Sequence, residues 1–144
     1  MGSPATEEFR MMTITKKADY AIRSVLYLTR SRNQTAAVDE IASSMKIPKP
    51  FLAKIFQALV RAGIASSTRG VNGGFSLSTP PEQLSIWDVI VAIDGPPDLN
   101  SCAVDARVCE LSEACVVHPV WLELGQLIRE RLKKETFRKL AGKG

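Results

Sequence analysis

The sequence predicts a mainly helical domain carrying one small β-hairpin. Apolar residues recur at three- and four-residue spacing in several separate stretches, and a tight Pro-bounded break divides two of them. An Asn-Gly pair then lies between short segments of alternating polarity, the strongest short hairpin signal. The chain has 144 residues, 45% hydrophobic and 24% charged, which is a globular composition rather than a disordered or fibrous one. That length suits one domain, or one small domain with an arm.

Residues 1–11 carry Glu7 and Glu8 and no apolar segment, so they are expected to be a tag or a disordered N-terminus. With no run of 18 apolar residues, neither a membrane span nor a signal peptide is expected, and the expected location is the cytoplasm. Lys16 to Thr29 places Ala18, Ile22, Val25, Leu26 and Leu28 on one face, with Thr15 as cap. Val38 to Met45 is a second, short helix with Asp39 and Glu40 in its first turn, where the dipole favours acids. Lys46-Ile47-Pro48-Lys49-Pro50 breaks the pattern. A third helix then runs from Pro50 at its first position to Ala62, burying Leu52, Ile55, Phe56 and Leu59, and Gly63 ends it.

Two short helices joined by a tight turn form a helix-turn-helix pattern. Ile64 to Thr68 and Phe75 to Ser78 then read as the strands of a hairpin around Arg69 to Gly74. Together they predict a winged helix over residues 12–95, whose third helix enters the major groove of DNA while the hairpin reaches the adjoining minor groove or backbone. Ser85 caps a mostly apolar helix, Ile86 to Asp94, and Gly95-Pro96-Pro97 stops it. Residues 96–119 form a loop holding every cysteine. Residues 120–144 read as a final helix and tail, with Val120, Leu124, Leu127, Ile128 and Leu132 on one stripe to Lys134 and Thr136 to Leu140 folding back. Such a helix needs a partner, so a homodimer is expected, with two recognition helices facing a near-palindromic operator.

The net charge of +4 hides an uneven distribution. Met12 to Thr79 carries ten Lys/Arg against three acids, a net of +7, whereas Pro80 to Val120 carries seven acids against Arg107 alone, a net of −6. On charge alone the first half could be an ordinary solvated surface. On a winged helix it faces a polyanion. Lys54, Gln57 and Arg61 share the third helix's outer face behind Lys49, Pro50 and Phe51. Gln57 can pair bidentately with adenine, Lys54 and Arg61 suit guanine or phosphate, and Arg69 in the glycine-rich wing suits a narrow minor groove. Lys16 and Asn72 complete the expected contacts to double-stranded DNA.

Cys102, Cys109 and Cys115 fall within 14 residues, and His118, the only histidine, follows three residues on. An odd cysteine count in a cytosolic chain disfavours a disulfide scaffold. Zinc ligands usually come in pairs two to four residues apart, whereas iron–sulfur sites tolerate irregular spacing and one non-cysteine ligand. Spacing alone therefore leaves an iron–sulfur cluster, zinc and unligated thiols open. An enzyme is not expected: there is no Cys-x-x-Cys, no nucleotide loop and no recognisable carboxylate pair.

From Met12 to Leu140 the chain resembles the Rrf2 family of bacterial regulators. The likeness rests on Thr15 to Arg23, Ile41-Ala42, Leu59 to Ile64, the wing Arg69-Gly70-Val71-Asn72-Gly73-Gly74-Phe75-Ser76-Leu77, Ile86 to Ile90 before Asp94-Gly95-Pro96, the triple-cysteine loop and His118-Pro119-Val120-Trp121. The resemblance implies a homodimeric transcription regulator, often a repressor, that senses redox state, nitric oxide or iron through a cluster on Cys102, Cys109 and Cys115. In its IscR-like group a histidine at the place of His118 completes a 2Fe-2S site. In its NsrR-like group an aspartate at the place of Asp19, from the partner subunit, completes a 4Fe-4S site. Relatives that use the same fold without a cluster imply a thiol-based regulator as the alternative.

Overall fold

A computed structural model describes residues 14–68, 73–97 and 115–143. Within them the order is α1 (Lys16–Arg30), a single 3-10 turn (Arg32–Gln34), β1 (Thr35–Ala37), α2 (Val38–Met45), α3 (Lys49–Arg61), β2 (Ala65–Thr68), β3 (Gly74–Leu77), α4 (Ile86–Asp94), α5 (His118–Lys133) and α6 (Phe137–Ala141). No described helix is long and apolar enough to cross a membrane.

One core holds these elements together. Val25 and Leu28 of α1, Ile41 of α2 and Leu52, Ile55, Phe56 and Leu59 of α3 are all 0% exposed. Each such burial contributes about 1.5–3 kcal/mol, so α2 and α3 are ordered by their apolar faces rather than by helix propensity. Phe56 stacks on Phe75 of β3 with ring centroids 4.0 Å apart, which ties the sheet to α3. Val89 of α4 joins the same core, and Ile90 beside it is also buried.

The end of α3 satisfies its carbonyls within a few residues. Gly63 takes φ 77° and donates its N–H to Val60 O at 3.0 Å, while Ile64 N–H reaches Leu59 O at 2.9 Å. This paired closure sends the chain directly into β2, with Ile64 and Leu59 both buried. Ser85 opens α4 with a reciprocal cap: its hydroxyl oxygen accepts Asp88 N–H, and Asp88 Oδ2 accepts Ser85 N–H at 2.9 Å.

Four sequence expectations need correction. The wing belongs to a three-stranded antiparallel sheet, in order β1-β3-β2, rather than a two-stranded hairpin. The added strand pairs Thr35, Ala36 and Ala37 with Ser76, Phe75 and Gly74. It is reached through Asn33 and Gln34, both at positive φ. Second, the returning strand starts at Gly74 and ends at Leu77, one residue earlier at each end than expected. Third, α3 starts at Lys49 with Pro48 as cap, so Pro50 occupies the second helical position; proline costs nothing there, because the first turn's N–H groups lack intrahelical partners. Fourth, α5 begins at His118 rather than Val120, because Pro119 is likewise accommodated in a first turn.

The tail does fold back. Phe137 is 0% exposed and sits in the core cluster with α1 and α3 residues. Its N–H donates to Leu84 O at 2.9 Å, and Ile86 N–H donates to Glu135 O at 3.0 Å. Arg138 pairs with Glu82 at 2.9 Å and Arg131 with Glu135 at 2.7 Å. Both carboxylates sit below their ordinary value, Glu135 chiefly through Arg131 and Glu82 through its own backbone N–H and then Arg138.

Two glycines are required for different reasons. A Cβ on Gly63 would meet nothing within 4 Å, so alanine there carries only the left-handed backbone cost of about 1 kcal/mol. A Cβ on Gly74 would overlap the Ala36 carbonyl and lie 2.7 Å from Ala37 Cα, so alanine there forces β1 off β3. Gly74→Ala is therefore expected to cost clearly more than Gly63→Ala, with about 1–3 kcal/mol from overpacking alone. Equal losses in urea unfolding would contradict the close strand approach.

Candidate nucleic-acid interface and cysteine site

With its inner face committed to the core, α3 presents the opposite face to solvent. Lys49, Pro50, Phe51, Ala53, Lys54, Gln57 and Arg61 are all exposed. The structure thus brings together six of the residues expected from sequence to contact DNA, on one surface. Lys16 is exposed in the first turn of α1, one turn before Tyr20, whose ring meets Phe51 edge-on at 5.7 Å. Arg69 and Asn72 lie outside the described residues, as do Cys102 and Cys109. The base of the wing is closed by the Thr68 hydroxyl, which accepts Gly74 N–H at 2.9 Å.

The turn between α2 and α3 is fixed from α1. Lys46 ends α2 at φ 54°, the left-handed position often given to glycine. Arg23 donates to Met45 O in the last turn of α2 at 3.3 Å and to Asp19 Oδ2 at 3.0 and 2.5 Å. Its guanidinium also lies 5.1 Å from the centre of the Tyr20 ring. Arg23 and Tyr20 were not singled out from sequence as site residues, although the Asp19–Arg23 spacing of one helical turn is the legible trace of the ion pair. Lys49 pairs with Asp39 of α2 across the turn, both side chains well exposed. Tyr27 donates to Glu40 at 2.6 Å, and that bond raises its phenol above the ordinary 10.0.

The cysteine site is described at its C-terminal end. Cys115, half-buried, precedes α5 by one turn, and His118 N–H donates to Cys115 O at 3.3 Å. The His118 Nδ1 atom is buried and has no hydrogen-bond partner among the described residues. A buried polar atom left so costs about 1–3 kcal/mol, which a partner would recover. Asp19, the other candidate ligand, has one oxygen engaged by Arg23 and a half-exposed side chain. No group of three or more His, Cys, Asp or Glu residues gathers as a metal site among the described residues.

Thr15 ties the start of α1 to the end of α4. Its hydroxyl oxygen accepts Ala18 N–H at 3.1 Å, and the same hydroxyl donates to Asp94 Oδ2 at 2.6 Å. Asp94 ends α4, where the helix dipole disfavours an acid, and Gly95 follows it at φ 80°.

A helix-turn-helix whose second helix shows a basic, partly apolar face beside a three-stranded wing defines a winged-helix DNA-binding protein. Comparison with known proteins narrows this further. The model of the Rrf2 family, described as iron-dependent transcriptional regulators, matches residues 14–143, and the chain belongs to that family. A protein of Aquifex aeolicus assigned as an HTH-type transcriptional regulator is 34% identical over 90% of this chain and 91% of its own length. An Rrf2-like HTH-type regulator of Rhodobacter capsulatus is 35% identical over 77% of this chain and 80% of its own. The chain is accordingly a DNA-binding transcriptional regulator of the Rrf2 type. Among solved structures, CymR, titled the global cysteine regulator of B. subtilis, superposes with TM-score 0.74 at 22% identity, covering 92% of this chain and 98% of that one. IscR of T. potens superposes with TM-score 0.72 at 20% identity, covering 91% and 87%. These two show the shared fold.

Replacing Thr15 with Val keeps the side-chain shape but removes both the cap and the tie to Asp94. Thr15→Val is expected to lower stability by about 1–2 kcal/mol, the scale of a lost helix cap, with Thr15→Ser restoring most of it. Thermal unfolding of the three proteins measures this, and an unchanged midpoint for Thr15→Val would refute the tie.

Proposed function

We propose that this regulator works as a homodimer on a near-palindromic operator, probed by α3 and the wing, and that an iron–sulfur cluster on Cys102, Cys109, Cys115 and His118 sets its DNA affinity. The observation that carries the ligand assignment is the buried Nδ1 of His118, without a partner among the described residues and one turn from Cys115. An imidazole nitrogen is a suitable iron ligand beside thiolates, and a metal would satisfy an atom that the described protein groups do not. Asp19 is the weaker candidate because Arg23 already holds its carboxylate. When bound, the cluster supplies a redox-active group whose histidine-held corner is exchangeable.

The protein's own part is mechanical. α5 begins at His118 and leaves Val120, Leu124 and Leu127 exposed at 47%, 38% and 53%, with no residue of the helix fully buried. An apolar stripe of this kind favours pairing with a second copy. His118, proposed to hold the cluster, and the residues proposed to hold the dimer thus share one helix, with Cys115 one turn before it. Its far end runs into Phe137 in the winged-helix core, so a change at Cys115 and His118 can alter how two recognition helices are spaced.

A second reading has its own support: the fold match to CymR extends to a structure of the Staphylococcus aureus protein in an oxidised form, TM-score 0.69. In that reading the cysteines act as thiol switches without a cluster. Anaerobic purification separates the two. The cluster reading expects visible absorbance and bound iron, lost in His118→Ala and kept in Asp19→Ala. The reverse pattern would move the ligand to Asp19, and a colourless, iron-free protein that still binds promoter DNA would favour the thiol reading. Separately, Leu124→Glu with Leu127→Glu is expected to convert the dimer to monomer in sedimentation. Operator affinity should fall by at least tenfold, on the order of the contribution of a second half-site.

A further inference from the structure

We propose that Phe51 is a specificity-determining residue that reads the 5-methyl group of a pyrimidine in the major groove. The inference rests on α3 as the recognition helix and adds what its first turn selects.

Phe51 is 45% exposed although its immediate neighbour Leu52 is fully buried. Leaving a large aromatic ring at the surface forfeits burial that a folded protein would otherwise use. The ring is nevertheless held in place. Tyr20 meets it edge-on with an interplanar angle of 80°, Arg23 lies over Tyr20, and Arg23 is itself fixed by Asp19 and the Met45 carbonyl. A ring positioned this way loses little conformational entropy on binding.

Its surroundings point to DNA rather than to an apolar protein surface. Exposed Lys49 and Lys54 flank it, and Gln57 follows on the same outer face. In the first turn itself the exposed side chains are Lys49, already paired with Asp39, and then Pro50 and Phe51. That turn therefore offers a base edge apolar surface instead of hydrogen-bonding groups. Among the four ordinary bases, the apolar feature on the major-groove edge is the thymine 5-methyl group. 5-Methylcytosine presents the same chemistry, and the test distinguishes the two sources.

A randomised duplex pool selected by the full-length protein at low salt supplies a binding site. Each thymine in it is then replaced singly by deoxyuridine, which removes only the methyl. The expected result is one position per half-site at which the wild-type protein loses about fourfold in affinity, the scale of burying one methyl group. Phe51→Ala should abolish that difference and Phe51→Leu should keep a reduced one, while Gln57→Ala should leave it intact. Circular dichroism checks that each variant folds. A C·G pair at that position, compared with its 5-methylcytosine counterpart, shows whether the methyl alone suffices: recovery on methylation supports a methyl reader of either source, and no recovery limits it to thymine. Equal affinity for thymine and deoxyuridine at every position, or a difference that survives in Phe51→Ala, overturns the proposal while leaving α3 as the recognition helix. A pool that enriches no sequence overturns both.

Discussion

The stack of Phe56 on Phe75 is the contact on which the rest of the helix-turn-helix and wing depends. It joins the inner face of α3 to the central strand of the sheet, so α3 and the base of the wing move as one piece. Gly74 makes the arrangement sterically feasible, because only a residue without a Cβ lets β3 approach the backbone of Ala36 and Ala37. With β3 paired on both edges, the register of the wing is set by β1 as well as by its own turn.

α1 is the frame for the helix-turn-helix and for the end of α4. Through Arg23 it holds the last turn of α2, and through Tyr20 it holds Phe51. Through Thr15 it holds the end of α4, beyond which the cysteine segment begins. These are polar or aromatic contacts at the rim of an apolar core. Individually they contribute modestly, about 0.5–2 kcal/mol, but each fixes a direction that non-directional burial leaves free. The same division appears at the C-terminus, where Phe137 supplies burial and Arg138–Glu82 and Arg131–Glu135 supply orientation at the surface.

Much of this was legible in one dimension. The periodicity of Leu52, Ile55, Phe56 and Leu59 gave α3 its inner face and so placed Lys54, Gln57 and Arg61 outside. Gly63 announced the end of α3, and Ser85 announced the start of α4. What escaped was non-local or weakly encoded. β1 is three residues long with two alanines, so neither length nor propensity marks it, and its partner lies about forty residues away. Lys46, Asn33 and Gln34 adopt positive φ without being glycine, so residue type did not mark these turns. Arg23 looked like one more surface charge until α2 was packed beside it.

The sequence by itself determined which residues could carry function: a basic helix-turn-helix, a glycine-rich wing, and cysteines confined to one acidic segment ending at the lone histidine. Those features are local, written in residue type and spacing, and they persist whatever the chain packs against. Only the tertiary structure decided which of them act together. Packing exposed Phe51 and clamped it under Tyr20, engaged Asp19 with Arg23, and left the buried His118 nitrogen without a partner among the described residues. The physical reason is that exposure, pairing and desolvation are properties of an environment, and an environment is assembled from residues far apart in the chain.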